Sequence, residues 1–145
     1  MGLPVSTIRA RIATKIATLS GWTESRYVFD LFGSDSRHVM HKSFAVGASS
    51  TIAEPGARSR RHSGQLSTTA FAVRFAVRVR ADAQVTDYDA ALDAEEDLAQ
   101  AVLAMSMADL AGLELSAVPA RDVSPGGEWF LGSLVFNIKH FYPTE

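Results

Sequence analysis

Hydrophobic positions in this chain recur with two different periods, and the switches between them divide it into elements. Val5, Ile8, Ile12, Ile16 and Leu19 fall three or four apart, the spacing that lays one stripe of a helix against a core. Ser6 or a neighbour caps that helix, and Ser20-Gly21 closes it, because glycine is favoured just past a helix C-terminus. Arg9, Arg11 and Lys15 lie off the stripe and read as a solvated face. Two aromatic-rich runs follow, Tyr27 to Phe32 and Val39 to Val46, and both predict short strands.

From Gly47 to Ser67 no hydrophobic period survives and Ser, Ala, Gly, Pro and Arg dominate. That composition predicts a loop of about twenty residues, long enough to be mobile and to carry function. Beyond it, Phe71, Val73, Phe75, Val77 and Val79 share one face of a strand, and Ala72, Arg74, Ala76, Arg78 and Arg80 share the other. Strict alternation sets the first face on the core and the second toward water or a partner.

The period returns to helical from about Thr86 to Met105. Thr86 or Asp87 is the expected cap, and the early acids meet the positive end of the helix dipole. Tyr88, Leu92, Glu95, Leu98 or Ala99, Val102 and Met105 trace the inward stripe, while Asp89, Asp93, Glu96, Asp97 and Gln100 point the other way. After a break at Ala111-Gly112, Leu113 to Val123 reads as a strand whose Pro119 favours an edge or a bulge. A turn at Ser124-Pro125-Gly126-Gly127 leads to a last strand with Phe130, Leu134, Phe136 and Ile138 on one side. Its other side carries Leu131, Ser133, Asn137 and Lys139. The expected fold is α+β: one domain over 1–145 in which helices pack on one face of a mostly antiparallel sheet.

Composition narrows the function classes. With 145 residues, 47% of them hydrophobic, the chain suits one core. A net charge of -2 argues against a generic polyanion binder, which carries a large basic excess. The absence of cysteine excludes disulfides, thiolate nucleophiles and cysteine-ligated zinc. No uninterrupted apolar run approaches the roughly 18 residues of a membrane span, so no membrane is expected as a partner.

Candidate chemistry is sparse, and the expectation is a non-enzyme with no catalytic residue, metal or cofactor. Asp89, Asp93 and Asp97 stand at helical i, i+4 spacing, but no histidine motif accompanies them, so a solvated acidic face is the preferred reading. With Glu96 they form a candidate subunit-interface surface for a basic partner. His38 and His41, three apart, would diverge on the strand assigned to them; His62 belongs to the loop, and His140 suits packing at a strand end. Phosphate-loop, dinucleotide and nucleophile-elbow patterns are missing. Arg58, Arg60 and Arg61 of the loop, with Arg74, Arg78 and Arg80 of the strand, form a candidate basic surface. Lining the bore of a ring, they would meet DNA phosphates without reading bases. Pairing with acids across subunits, or simple solubilisation, is the favoured alternative, since no base-stacking aromatic is interleaved with these arginines.

Trp22 followed by Phe29-Asp30-Leu31-Phe32-Gly33, then Thr86-Asp87-Tyr88-Asp89-Ala90-Ala91-Leu92-Asp93, then Gly127-Glu128-Trp129-Phe130 running to His140-Phe141-Tyr142-Pro143, give the chain a wording of its own. In order and length it resembles the tail-terminator, or tail-completion, proteins of long-tailed bacteriophages and prophages. The resemblance implies a structural virion subunit, made in the host bacterial cytoplasm and placed at the head-proximal end of the tail. It further implies a homo-oligomeric ring, usually a hexamer, that caps the completed tail tube and joins it to the head's connector or neck protein. DNA would pass through the lumen in transient, non-specific contact. Another head-tail joining component, a neck or stopper protein, is the alternative within that biology. A small hydrolase or ligand-binding domain using the acidic helix and His140 is the alternative outside it.

Overall fold

A computed structural model of the chain describes residues 2–25, 40–59, 64–116, 120–123 and 127–143, with 55–59 and 120 described by backbone alone. Helix α1 (Val5–Ala17) buries Ile8, Ile12, Ala13 and Ile16, the predicted stripe plus one alanine. It starts at Pro4 rather than at a Ser6 cap: the Pro4 carbonyl accepts from the Ile8 N–H at 3.2 Å, and no side chain caps the end. It stops before Leu19 because the Thr18 hydroxyl donates to the Lys15 carbonyl at 2.6 Å, and Gly21 then takes a left-handed φ of +85°.

A six-stranded sheet runs β1 (Thr23–Glu24), β2 (Ser43–Ser59), β3 (Gly64–Arg78) and β6 (Trp129–Pro143). Two short strands, β4 (Gly112–Leu115) and β5 (Ala120–Val123), both pair with the outer edge of β6. The β1–β2 pair is parallel and every other pair antiparallel. Helix α2 (Gln84–Leu103) connects β3 to β4. This is the expected α+β arrangement.

The stretch from Gly47 to Ser67, expected to be a loop, is mostly paired β structure. Strands β2 and β3 stay in register from Ser43↔Ala76 to Ser59↔Gly64, with irregularities between Ala48 and Ser50 and between Ala53 and Arg58. The pattern hid this because Ala48 to Ala53 are exposed at every position, so no face alternates between apolar and polar. Cross-strand partners hold the pairing instead, among them Thr51 and Thr69 with their hydroxyl oxygens 2.9 Å apart. The expected strand from Leu113 to Val123 is likewise two pieces, β4 and β5; both lie at an edge, where a proline between them is tolerated. The expected strand at Tyr27 to Phe32 lies outside the described residues, as do Val39, Pro119 and Ser124 to Gly126.

One core joins both helices to one face of the sheet. Phe44, Phe71, Phe75, Phe130 and Phe136 are fully buried there, with Ile8 and Ile12 from α1 and Leu98 and Val102 from α2. Gly132 of β6 is what lets Phe75 into this layer, since a Cβ at that position would run into the Phe75 ring. The freed ring packs edge-on against Trp22, with centroids 6.0 Å apart. Neither α1 nor α2 covers the opposite face, where Arg74 and Arg78 are exposed.

Candidate assembly surfaces

Helix α2 separates its residues sharply. Ala91, Ala94, Glu95, Leu98, Ala101 and Val102 are buried, and Asp89, Asp93, Glu96 and Asp97 on the far side are all exposed. Those four carboxylates make no ion pair among the described residues. The first turn is organised by Asp87 from inside the helix, because Ala83 precedes it and supplies no side-chain cap. Asp87 accepts the Arg80 backbone N–H at 2.8 Å and two guanidinium nitrogens at 3.0 and 3.1 Å. The guanidinium bonds first, then the backbone bond, hold the Asp87 carboxyl down at about 2.

Glu95 stands on the inward stripe, as expected, and is 4% exposed. Its partner was not anticipated: Arg121 of β5 donates from Nε and from Nη2 to its carboxylate, the shortest contact being 2.8 Å. A two-pronged guanidinium contact of this kind fixes orientation as well as charge, and it ties the edge strand β5 to α2. A second unanticipated pair, Arg11 to Asp109 at 2.6 and 2.7 Å, joins α1 to the segment after α2.

The candidate arginines among the described residues do not form one patch. Arg74 and Arg78 alternate with buried Val73, Phe75 and Val77 and so project from the uncovered face, without an ion pair among the described residues. Arg80 lies past the end of β3 and is engaged by Asp87, so it does not continue that face. Arg58 is level with Gln65 at the far end of the hairpin. Nine residues of strand separate Gln65 from Arg74, roughly 30 Å. The expected union of loop and strand arginines fails because the supposed loop is an extended hairpin that carries Arg58 away. Arg60 and Arg61 lie outside the described residues.

Around Arg74 and Arg78 the face away from the helices carries small side chains, and Ser43 and Ala45 among them are buried. Ala45 and Ser133 flank Arg74 in register, Gly47 and Val135 flank Ala72, and Ser43 and Leu131 flank Ala76. Ala76, between the two arginines, is fully buried despite facing this side.

Two histidines are held structurally. The Arg78 backbone N–H donates to His41 Nδ1 at 3.1 Å, and burial, followed by the nearby Lys42 charge, lowers the His41 pKa. His140 is fully buried; a carbonyl can only accept, so Nδ1–H donates to the Leu3 carbonyl at 3.1 Å. Nε2 then accepts from the Thr69 hydroxyl at 2.7 Å, and burial pushes the His140 pKa down. His38 and His62 lie outside the described residues. No group of three or more His, Cys, Asp or Glu that could hold a metal occurs among the described residues.

With this geometry in view, the chain was compared with known proteins. No family model matches it. No curated protein matches it either. Function is therefore to be read from the surfaces and from the order of motifs along the chain.

Proposed function

We propose that this chain is a structural subunit of a long-tailed phage virion that assembles head-to-tail into a ring, six subunits in the expected form. The ring caps the completed tail tube and offers its other side to the head's connector. The observation that carries this reading is the placement of unmatched charge. Four acids without an ion pair among the described residues lie on the outward side of α2, and Arg74 and Arg78, also without one among them, lie on the side of the sheet away from the helices. A two-fold contact through either surface would set like charges together, whereas a head-to-tail contact joins two different patches of identical subunits. Head-to-tail contacts that close give rings, the form a tube cap requires. The motif order that resembles tail terminators, from Trp22 to Pro143, supports the same reading.

Two measurements test it. Light scattering over a concentration series, with negative-stain imaging, is expected to show a closed ring of defined size, alone or on the ends of tail tubes. Deleting the coding sequence from its phage genome is expected to leave full heads unjoined and tube lengths irregular. Normal joined virions from the deletion would overturn the proposal.

A further inference from the structure

We propose that the free edge of β2 pairs with the same edge of a second copy, antiparallel and about a two-fold axis, with Ile52 opposite Ile52. The contact is separate from the head-to-tail junction of the ring and does not rest on it. Strand β1 covers β2 only at its start: Thr23 and Glu24 pair with Ser43 and Phe44, and the Ser25 N–H donates to the Phe44 carbonyl at 2.7 Å. From Ala48 to Ala53 every residue of β2 is exposed, Ile52 to 69%. The register decides which backbone groups are free. The Ala76 carbonyl accepts from the Lys42 N–H at 2.9 Å, so Ala76, and each second residue from it back to Thr68, turns its peptide groups toward β2. Ser50 and Ile52, level with Ala70 and Thr68, therefore face β3, and Thr51 and Ala53 direct their N–H and C=O groups away from the sheet. Those outward groups have no hydrogen-bond partner among the described residues.

Charge and side-chain fit name the occupant. An unpaired edge invites another strand, and proteins blunt such edges with charged residues or proline. The opposite edge of this sheet is blunted in that way: it consists of two four-residue strands, with Glu114 in β4 and Arg121 and Asp122 in β5. Strand β2 carries neither charge nor proline from Phe44 to Ala53, and Glu54-Pro55 then close the run. Ile52 is level with Thr68 and, through it, with Lys139, so it shares a face with Gly112, Glu114, Ala120 and Asp122 of the blunted edge. None of these is a large apolar residue, so a junction with that edge leaves Ile52 unmatched, whereas a second β2 sets it against another isoleucine. In this register Thr51 and Ala53 of one copy exchange both N–H···O bonds with Ala53 and Thr51 of the other. The isoleucines form the non-hydrogen-bonded pair between them, the position where opposed side chains come closest. The irregularity between Ala48 and Ser50 lies before this run.

The chain has no cysteine, so one introduced into the full chain at this edge reports on the edge alone. Ile52→Cys sets two thiols on a pair whose Cα atoms stand about 4.5 Å apart, within the span a disulfide needs. A mild added oxidant, taking up the two electrons and two protons released, is expected to link this variant into dimers. Ser50 lies on the same face, but in this register it is four residues, roughly 13 Å, along the strand from the Ser50 of the other copy. Ser50→Cys is therefore expected to link more slowly by at least about tenfold. Equal linking of the two variants, or none in a normally folded Ile52→Cys, overturns the pairing. Sedimentation supplies a second readout without covalent capture. Ile52→Lys is expected to weaken dimerisation by more than about tenfold, because like charges directly opposite each other oppose pairing. Salt is expected to leave the dimer of the unaltered chain nearly unchanged, since the paired run is uncharged. A dimer that dissociates in salt and ignores Ile52→Lys belongs to the charged surfaces instead and overturns the edge contact.

Discussion

On the helix-covered side of the sheet, the buried Glu95 carboxylate is gripped by Arg121, whereas on the uncovered side Arg74 and Arg78 project with no ion pair among the described residues. The first joins helix α2 to the edge strand β5, and the second comes from alternate positions of β3 whose neighbours are buried. The difference is one of solvation. A carboxylate taken out of water must find its counter-charge within the chain, because an unpaired buried ion costs several kcal/mol in a folded protein (about 3–5). Water meets that need for an exposed guanidinium, so its partner is free to lie outside the molecule. Buried charge on the covered side therefore reports on folding, and exposed charge on the other side is not required by it.

The largest effect should come from breaking the covered pair, and it should be lopsided. Arg121→Ala strands the Glu95 carboxylate and is expected to cost about 3–5 kcal/mol in denaturant unfolding. Glu95→Ala leaves Arg121, whose side chain is 44% exposed, able to hydrate, so a loss under about 2 kcal/mol is expected. Equal losses, or a larger one for Glu95→Ala, would contradict the view that burial is what binds this pair. Next in size is Gly132→Ala, which sets a methyl against the Phe75 ring and is expected to cost about 1–3 kcal/mol by overpacking. Trimming the ring with Phe75→Leu should make the two costs less than additive; strict additivity would mean that they do not meet.

A smaller effect, and one confined to the covered side, concerns His140. Its pKa is lowered in the folded chain chiefly by burial, so the folded state favours the neutral ring more than the unfolded state does. The unfolded chain then binds more protons below the ordinary value of 6.5, and stability falls as the pH drops from there toward the folded value. His41, also lowered, adds to the same limb. Unfolding free energy followed across this range should decline on acidification, and His140→Gln should flatten part of the decline. A profile that rises on acidification would reverse the assignment of the neutral ring.

Legibility in the sequence followed the same division between covered and uncovered. Helices α1 and α2 and strands β3 and β6 were readable because each buries one stripe or one face, and burial writes a period into the chain. Beyond Val46, β2 was not readable: Ala48 to Ala53 are exposed throughout, and their strand conformation comes from pairing with β3, a partner the local pattern does not name. Misreading that hairpin as a loop also joined Arg58 to Arg74, which the register sets far apart. The Glu95 clamp was half legible. Glu95 lay on the inward stripe and needed a cation, and Arg121 is the one Lys or Arg between Arg80 and Lys139. Bringing them together needs β5 at the edge of β6, a placement that long-range topology decides.

The smallest expected change in stability is the most discriminating for the uncovered face. Arg74→Ala with Arg78→Ala, measured on dilute monomer, should shift unfolding by no more than about 0.5 kcal/mol, the range of exposed substitutions that remove no partner. The same variant, concentrated, is expected on the ring proposal to associate more weakly than the unaltered chain, because it loses two exposed charges. A large loss in dilute monomer would mean that these arginines serve the fold through their stems, packed over Ala76 and Leu131, and the contrast between the two faces would collapse. Unchanged stability together with weakened association would place their role outside the subunit, as expected of charges with no ion pair among the described residues.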